Sequence, residues 1–204
     1  MKFPQFRPGS LKDNGMHLAY TPEANQFLVD DPFALLIGML LDQQIPIEKA
    51  FTSPYELQQR LGHDLDVREI AEYDSAALEE LFRKPPALHR FPAAMAKRVQ
   101  SLAQVLVERF NGDPAAVWNG ASDGADLVQR VSTLPGFGNQ KARIFVALLG
   151  KQFGVRPPGW RAAAGGYGDE GAHRSVADIV DDDSLSQVRA FKQQLKAAAK
   201  AEPA

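Results

Sequence analysis

The most informative segment of this chain is Leu134-Pro135-Gly136-Phe137-Gly138-Asn139-Gln140-Lys141-Ala142. Two glycines flank one residue, so the backbone can adopt conformations that a Cβ would forbid. The apolar helix that follows begins with bare amide groups, and the helix macrodipole favours an anion at that end. A phosphate is the natural ligand of such a turn. Because nothing in the turn reads a base edge, it predicts contact with a nucleic-acid backbone without sequence preference.

The composition is that of an ordinary globular protein. The chain has 204 residues, of which 45% are hydrophobic and 24% charged, with a formal net charge of −2. This length allows one domain or two small lobes. No cysteine is present, which excludes disulfides, thiolate zinc sites, cysteine nucleophiles and cysteine-bound iron–sulfur clusters. The four histidines are scattered, so no metal site is expected.

The first residues and the apolar runs bear on the expected location. Met1 to Gly15 is polar and contains Pro4 and Pro8, unlike a signal peptide. The longest apolar run, Phe33 to Leu41, is shorter than the roughly 20 residues that a bilayer span requires. We therefore expect a cytoplasmic protein without a membrane partner, and the nucleic-acid contact predicted for the turn makes it a nucleoid-associated one.

Charge is unevenly distributed along the chain. The segment from Leu127 to Gly168 contains no acidic residue, whereas Asp64 to Glu80 is rich in acids. This pattern predicts one positive and one negative face, although ordinary solvated surfaces produce similar runs. The basic residues of the acid-free segment are Arg130, Lys141, Arg143, Lys151, Arg156 and Arg161.

Helical periodicity dominates the pattern, so we predict an all-α protein of many short helices. An apolar helix over Phe33 to Leu41 should be buried, and it ends at Asp42-Gln43-Gln44-Ile45-Pro46. The helix over Glu48 to Leu61 should be interrupted near Pro54. A long amphipathic helix is predicted over Phe91 to Phe110, and Gly154 to Gly171 reads as a long irregular loop.

Two segments together resemble one protein family. The turn with its Leu-Pro-Gly-Phe-Gly-x-x-Lys-Ala pattern resembles the helix-hairpin-helix of the HhH-GPD superfamily of base-excision DNA glycosylases. The segment Asp31-Pro32-Phe33 through Gln43-Gln44 resembles that family's buried helix ending in Gln-Gln. The residues His89 to Pro92 and Val155 to Trp160 resemble an actinobacterial-type subgroup without an iron–sulfur cluster.

The resemblance implies a two-lobed protein forming a single unit over residues 1–204. Lobe A would be a helical barrel over residues 44–150, with the helix-hairpin-helix over 125–153. Lobe B would join residues 1–43 to 154–204. The cleft between the lobes should contain the Gln-Gln end, the hairpin and the glycine-rich loop. Such a protein removes a base that has been flipped out of double-stranded DNA.

The resemblance also assigns DNA-binding residues. Phosphate would be held by Gly136, Gly138 and the amides around them. The family has a glutamine that fills the space left in the DNA duplex by the flipped nucleotide, and Gln43 and Gln44 match it. Glutamine suits that place because it both donates to and accepts from an orphaned base. A polar end to a buried helix is the simpler structural explanation of the two glutamines. The DNA-binding set is Gln43, Gln44, Gly136, Phe137, Gly138, Asn139, Gln140 and Lys141.

The lysine of bifunctional members has no match in this chain. Gln140 occupies the position at which bifunctional members have the lysine that forms a Schiff base. Lys141 is one residue further along the chain. A shift of one residue turns a helical side chain by about 100°. Lys141 is therefore predicted to contact phosphate or to be a solvated helix lysine. A monofunctional glycosylase without lyase chemistry is the resulting expectation.

The catalytic aspartate is the second departure from the family pattern. At the usual distance this chain has Pro157-Pro158-Gly159-Trp160, without a carboxylate. If the glycine-rich loop is an insertion, Asp169 to Arg174 falls into the family's register. Asp169 is thus the first catalytic candidate and Asp178 the second. In the alternative interpretation, Asp169 and Asp178 are structural or surface residues. The protein would then bind distorted DNA without cleaving it.

Further expectations concern aromatic residues, ions and assembly. Trp160, Tyr167 and Phe137 are candidates for stacking on a flipped base or a sugar, although Trp160 beside Pro158-Gly159 also suits a loop anchor. A monovalent cation bound by hairpin carbonyls would agree with the family, no other cofactor is expected, and a monomer is favoured. A protein-interaction domain with a merely tight helix connection is the remaining alternative.

Overall fold

The computed structural model describes residues 15–201, and these form helices and connecting loops with no strand among them. The predicted all-α class is confirmed. The helices are α1 Pro22–Asp30, α2 Pro32–Leu41, α3 Ile47–Leu61, α4 Val67–Glu72, α5 Ser75–Arg83, α6 Pro92–Phe110, α7 Ala116–Asn119, α8 Gly124–Ser132, α9 Asn139–Gln152, α10 Trp160–Ala164 and α11 Asp182–Ala201, with 3-10 turns at Gly165–Tyr167 and Val176–Asp178.

The central helix is α2, as the apolar run predicts. The Asp31 side chain accepts hydrogen bonds from the Phe33 and Ala34 amides and so caps its start, while Pro32 occupies the first turn. Every residue from Phe33 to Leu41 is buried. Burial on all sides makes α2 the element around which the others pack.

Two predictions of irregular structure are wrong. Helix α3 is continuous through Pro54, whose neighbour Ser53 is fully buried and donates to the Lys49 and Leu88 carbonyls. Tertiary packing therefore outweighs the hydrogen bond that a proline nitrogen cannot make. The glycine-rich segment is also less irregular than predicted, because it contains α10 and the 3-10 turn Gly165–Tyr167.

The loop after α9 is held by Trp160, which is 7% exposed. A Cβ built on Gly150 would lie 2.3 Å from the Trp160 ring, and one on Gly124 would lie 2.5 Å from the Trp160 backbone. Both positions therefore admit only glycine while α10 packs this closely. Trp160 anchors α10 to the α8–α9 hairpin, so the expectation that its ring stacks on DNA is wrong.

One continuous hydrophobic cluster includes residues from both predicted lobes. The division into lobes at residues 44–150 stays a prediction. Among residues 15–201, no single helix is long and apolar enough to cross a membrane. Helices α1 and α2 meet the length and composition criteria only when they are taken together, and they are bent by 115° relative to each other.

Candidate nucleic-acid interface

The turn between α8 and α9 is open to solvent at both glycines. Gly136 has φ +83°, a conformation that strains any residue with a Cβ, and Phe137 N–H closes the turn on the Leu134 carbonyl at 3.0 Å. Gly138 is the N-cap of α9 and offers no side chain to its first amides. The start of α9 therefore presents the uncapped donors that an anion binds.

Phe137, between the two glycines, points away from solvent. Its side chain is 2% exposed and meets Phe145 edge to face, with ring centroids 5.8 Å apart. A buried ring cannot stack on a base, so the predicted DNA contact of the Phe137 side chain is wrong. Phe137 instead fixes the turn to the core.

The hairpin turn packs against the end of α2. A Cβ built on Gly136 would lie 3.2 Å from Leu40 Cγ, and Lys141 Nζ donates to the Leu40 carbonyl at 3.0 Å. The structure therefore brings the hairpin and the Gln43-Gln44 segment together, as the family pattern implies. The two glutamines differ in what they can do there.

Gln43 is fully engaged within the protein. Its Nε2 donates to the Leu40 carbonyl at 2.8 Å, and its Oε1 accepts from Arg98 at 3.0 Å. Gln44 is exposed and has φ +59°, which is uncommon for a residue with a Cβ. Strain of this kind concentrates at functional positions. Of the two predicted DNA contacts, Gln44 is the one whose side chain is presented to solvent.

His89 secures the Gln43-Gln44 turn from below. It is 2% exposed, its Nδ1 accepts from Phe91 N–H at 3.0 Å, and its Nε2 lies 3.0 Å from the Gln43 carbonyl oxygen. Because Nδ1 accepts, Nε2 carries the proton and donates. Burial lowers the pKa of His89, and the positive charges of Lys141 and Arg98 lower it further. The ring is therefore neutral near pH 7.

Lys141 points inward, so the prediction that its amine contacts phosphate is wrong. Its amine caps the carbonyl end of α2. Burial lowers the pKa of Lys141 to about 8, against the opposing effect of the Asp42 carboxylate, while Arg98 and Lys192 add repulsion. The Asp42 carboxylate in turn lies 3.6 Å from Lys192 Nζ on α11.

The outer side of the hairpin contacts the glycine-rich segment. Asn139 and Gln140 are exposed, and Gln140 Nε2 donates to the Tyr167 hydroxyl at 2.8 Å. Tyr167 is half-buried and keeps its candidacy for stacking. Arg143 lies one turn further along α9, exposed, with a guanidinium nitrogen 3.6 Å from the Cβ position of Gly165.

The two predicted catalytic carboxylates differ in environment. The Asp178 side chain is 3% exposed, with Oδ1 2.5 Å from Lys151 Nζ and Oδ2 accepting from the Arg174 and Ser175 amides. It forms the capping box of the turn Val176–Asp178. The Asp169 side chain is 63% exposed, 3.9 Å from Arg174. Asp178 is thus committed to structure, and Asp169 lies in solvent.

A cavity of about 560 Å³ lies at the opposite end of α9 from the hairpin turn. Lys151, Arg156, His173 and Asp178 are in its wall. Asn139 and Lys151 are separated along the helix by about 18 Å at 1.5 Å per residue. The cavity is therefore distinct from the hairpin surface. Among residues 15–201, no group of three or more His, Asp or Glu side chains is placed to hold a metal ion.

Three residues of the interface were not singled out by their sequence pattern for the roles they have. Asp42 directly precedes the two glutamines, His89 holds the turn, and Arg98 pairs with Gln43. Of the three, only Asp42 has a signal in the sequence, since it directly precedes the Gln-Gln motif. His89 and Arg98 reach the turn from more than 40 residues away.

The comparisons agree with this arrangement. The model of the HhH-GPD superfamily of base excision DNA repair proteins matches residues 37–202. The chain therefore belongs to the HhH-GPD superfamily, whose members act in base-excision DNA repair and bind DNA. No curated protein matches the chain at a significant level. Family membership displaces the protein-interaction alternative, and the actinobacterial-type subgroup stays a prediction.

Proposed function

We propose that this protein is a monofunctional DNA N-glycosylase that flips a damaged or mismatched base out of double-stranded DNA and hydrolyses its glycosidic bond. The observation that carries the proposal is the pairing of an open hairpin turn with an exposed, strained Gln44. The turn supplies backbone donors to phosphate, and Gln44 projects beside it as the side chain that replaces the flipped nucleotide.

The environments of Gln140 and Lys141 support the proposed absence of lyase chemistry. The amide of Gln140 cannot form a Schiff base, and it is held by Tyr167. The Lys141 amine is turned to the Leu40 carbonyl, away from the open end of the hairpin. Base release without strand cleavage is therefore the expected reaction.

The test is incubation of the protein with a panel of lesion and mismatch duplexes under single-turnover conditions. Free base and abasic sites are measured, with borohydride added in parallel to trap a covalent amine adduct. Base release without a trapped adduct supports the proposal. A trapped adduct that disappears in Lys141→Met would overturn the monofunctional assignment.

A non-catalytic protein that recognises distorted DNA is the second candidate. It is favoured by one observation, the engagement of Asp178 and the exposure of Asp169. Such a protein would bind the panel in a salt-dependent manner and release no base from any member. Asp169→Asn and Asp178→Asn would then leave all measured properties except folding stability unchanged.

A further inference from the structure

This inference rests on the proposed function and concerns the carboxylate it requires. Glycosidic bond cleavage develops positive charge on the sugar, and an anion held in a sheltered site stabilises that charge most effectively. Both carboxylate oxygens of Asp178 already accept hydrogen bonds, Oδ1 from Lys151 and Oδ2 from two backbone amides. The Asp169 side chain is 63% exposed, and the high dielectric constant of solvent weakens the field of its carboxylate.

Asp42 has the properties that the other two lack. Its side chain is only 12% exposed, yet among the described residues its carboxylate makes a single ion pair, at 3.6 Å to Lys192. This distance is longer than a hydrogen bond. The carboxylate is therefore sheltered but retains free acceptor capacity.

The position of Asp42 is also suitable. It directly follows α2 and stands two residues before Gln44, at the end of the helix against which the hairpin turn packs. Lys141, the residue after Gln140 on α9, senses its charge. Asp42 thus belongs to the short segment that connects Leu40, on which the hairpin turn packs, to the exposed Gln44.

We propose that Asp42 is the carboxylate that faces the sugar of the flipped nucleotide. The bond between C1′ and the base nitrogen breaks, and its electron pair leaves with the base. The Asp42 carboxylate stabilises the resulting oxocarbenium ion. Water then adds to C1′, and its proton passes to the carboxylate and onward to the departed base nitrogen, which leaves an abasic deoxyribose and the free base.

The basic neighbours of the carboxylate bear on its availability. Lys192 from α11 lies 3.6 Å from the Asp42 carboxylate, and the Asp42 charge raises the pKa of the Lys141 amine against the larger effect of burial. A DNA phosphate that approaches this end of the protein competes for Lys192. The ion pair then loosens, and the carboxylate becomes available to the sugar.

The experiment measures binding of a charge analogue, so it does not depend on turnover. Two duplexes are compared, one with a neutral tetrahydrofuran and one with a protonated pyrrolidine in place of the target sugar. Wild-type protein should bind the pyrrolidine duplex at least about tenfold more tightly, because a carboxylate in a sheltered site attracts the cation. Asp42→Asn should abolish that preference and keep tetrahydrofuran binding.

Glu48→Gln is the matched control. Glu48 is 13% exposed and pairs with Arg189, so it has a similar burial and a similar partner on α11. The proposal requires Glu48→Gln to keep the pyrrolidine preference. A preference that survives in Asp42→Asn, or that vanishes equally in Asp169→Asn, overturns it. The lesion panel tests the proposed function separately, since a wild-type protein without base release can still show a preference that depends on Asp42.

A second variant protects the test against misfolding of Asp42→Asn. Lys192→Met removes only the competing cation from the exposed helix α11. Freeing the carboxylate should raise the ratio of pyrrolidine to tetrahydrofuran affinity only about threefold, because a partly exposed ion pair at 3.6 Å is a weak interaction. An unchanged or reduced ratio in Lys192→Met contradicts the proposal.

Discussion

Replacing Gln44 by glycine separates stability from DNA binding. A left-handed residue with a Cβ costs roughly 1–2 kcal/mol, and glycine adopts φ +59° without that cost. Glycine in turn gives the unfolded chain more conformational freedom, worth roughly 0.5–1 kcal/mol. We therefore expect Gln44→Gly to be as stable as wild type or more stable by up to about 1.5 kcal/mol, which raises Tm by up to about 3–6 °C.

Binding should change in the opposite direction. The exposed Gln44 amide offers a donor and an acceptor to an orphaned base, each hydrogen bond contributing roughly 0.5–1.5 kcal/mol. Loss of both predicts about a tenfold weaker affinity for a duplex with an abasic analogue. Fluorescence anisotropy measures the affinity, and a 2-aminopurine opposite the lesion reports whether the orphaned base is contacted.

Two controls isolate the cause. Asn111→Gly relieves a second left-handed position, φ +52° at the end of α6, and should leave DNA binding unchanged. Gln44→Ala keeps the backbone strain but loses the amide, so it should weaken binding without the gain in Tm. If Gln44→Gly is folded and binds the abasic duplex with wild-type affinity, Gln44 is not the residue that enters the helix.

Three further outcomes follow from the site. Gly138→Asp has open space around its Cβ and φ −70°, so it should fold normally and reduce duplex affinity and the salt slope by about one phosphate contact, measured by anisotropy across a salt series; an unchanged slope would contradict phosphate binding by the turn. The pKa of His89 is lowered, so the unfolded chain takes up a proton near pH 6.5 before the folded protein does. Stability in urea should fall as pH drops from 7.5 to 5, less steeply in His89→Gln; equal slopes would refute a buried neutral ring. The pKa of Lys141 is lowered from 10.5 to about 8, so stability should rise between pH 8 and 10.5 by up to about 3 kcal/mol, and Lys141→Met should lack this rise. A wild-type curve that is flat over this range would show that the Lys141 amine is solvated.

Several helices of this fold can be predicted from the sequence because nearby residues determine where they begin and which faces are buried. Asp31-Pro32 starts α2, and the unbroken apolar run after it predicts a buried helix, as observed. The interruption predicted at Pro54 failed because the burial of α3 is decided by partners distant in sequence, among them Leu88. The same limit applies to α10, whose anchor Trp160 depends on two glycines in other helices.

The site was legible only as far as backbone geometry determines it. The glycines of the hairpin turn predict an exposed turn, and the structure has one. Which of two adjacent glutamines projects depends on Arg98 and His89, which no spacing rule connects to them. Register with the family pattern places Asp169 before Asp178 and leaves Asp42 out, whereas exposure and hydrogen bonding distinguish Asp42 from both.

The placement of the two tryptophans provides an optical probe that requires no label. Trp118 meets Phe145 edge to face with ring centroids 5.9 Å apart, and Trp160 covers Gly150, so both indoles report on α9. Their emission follows the packing of the one helix whose start is offered to phosphate. A titration with unmodified duplex can therefore be monitored in the native protein, and a spectral change would mean that occupancy of the hairpin is transmitted along α9 to its far end.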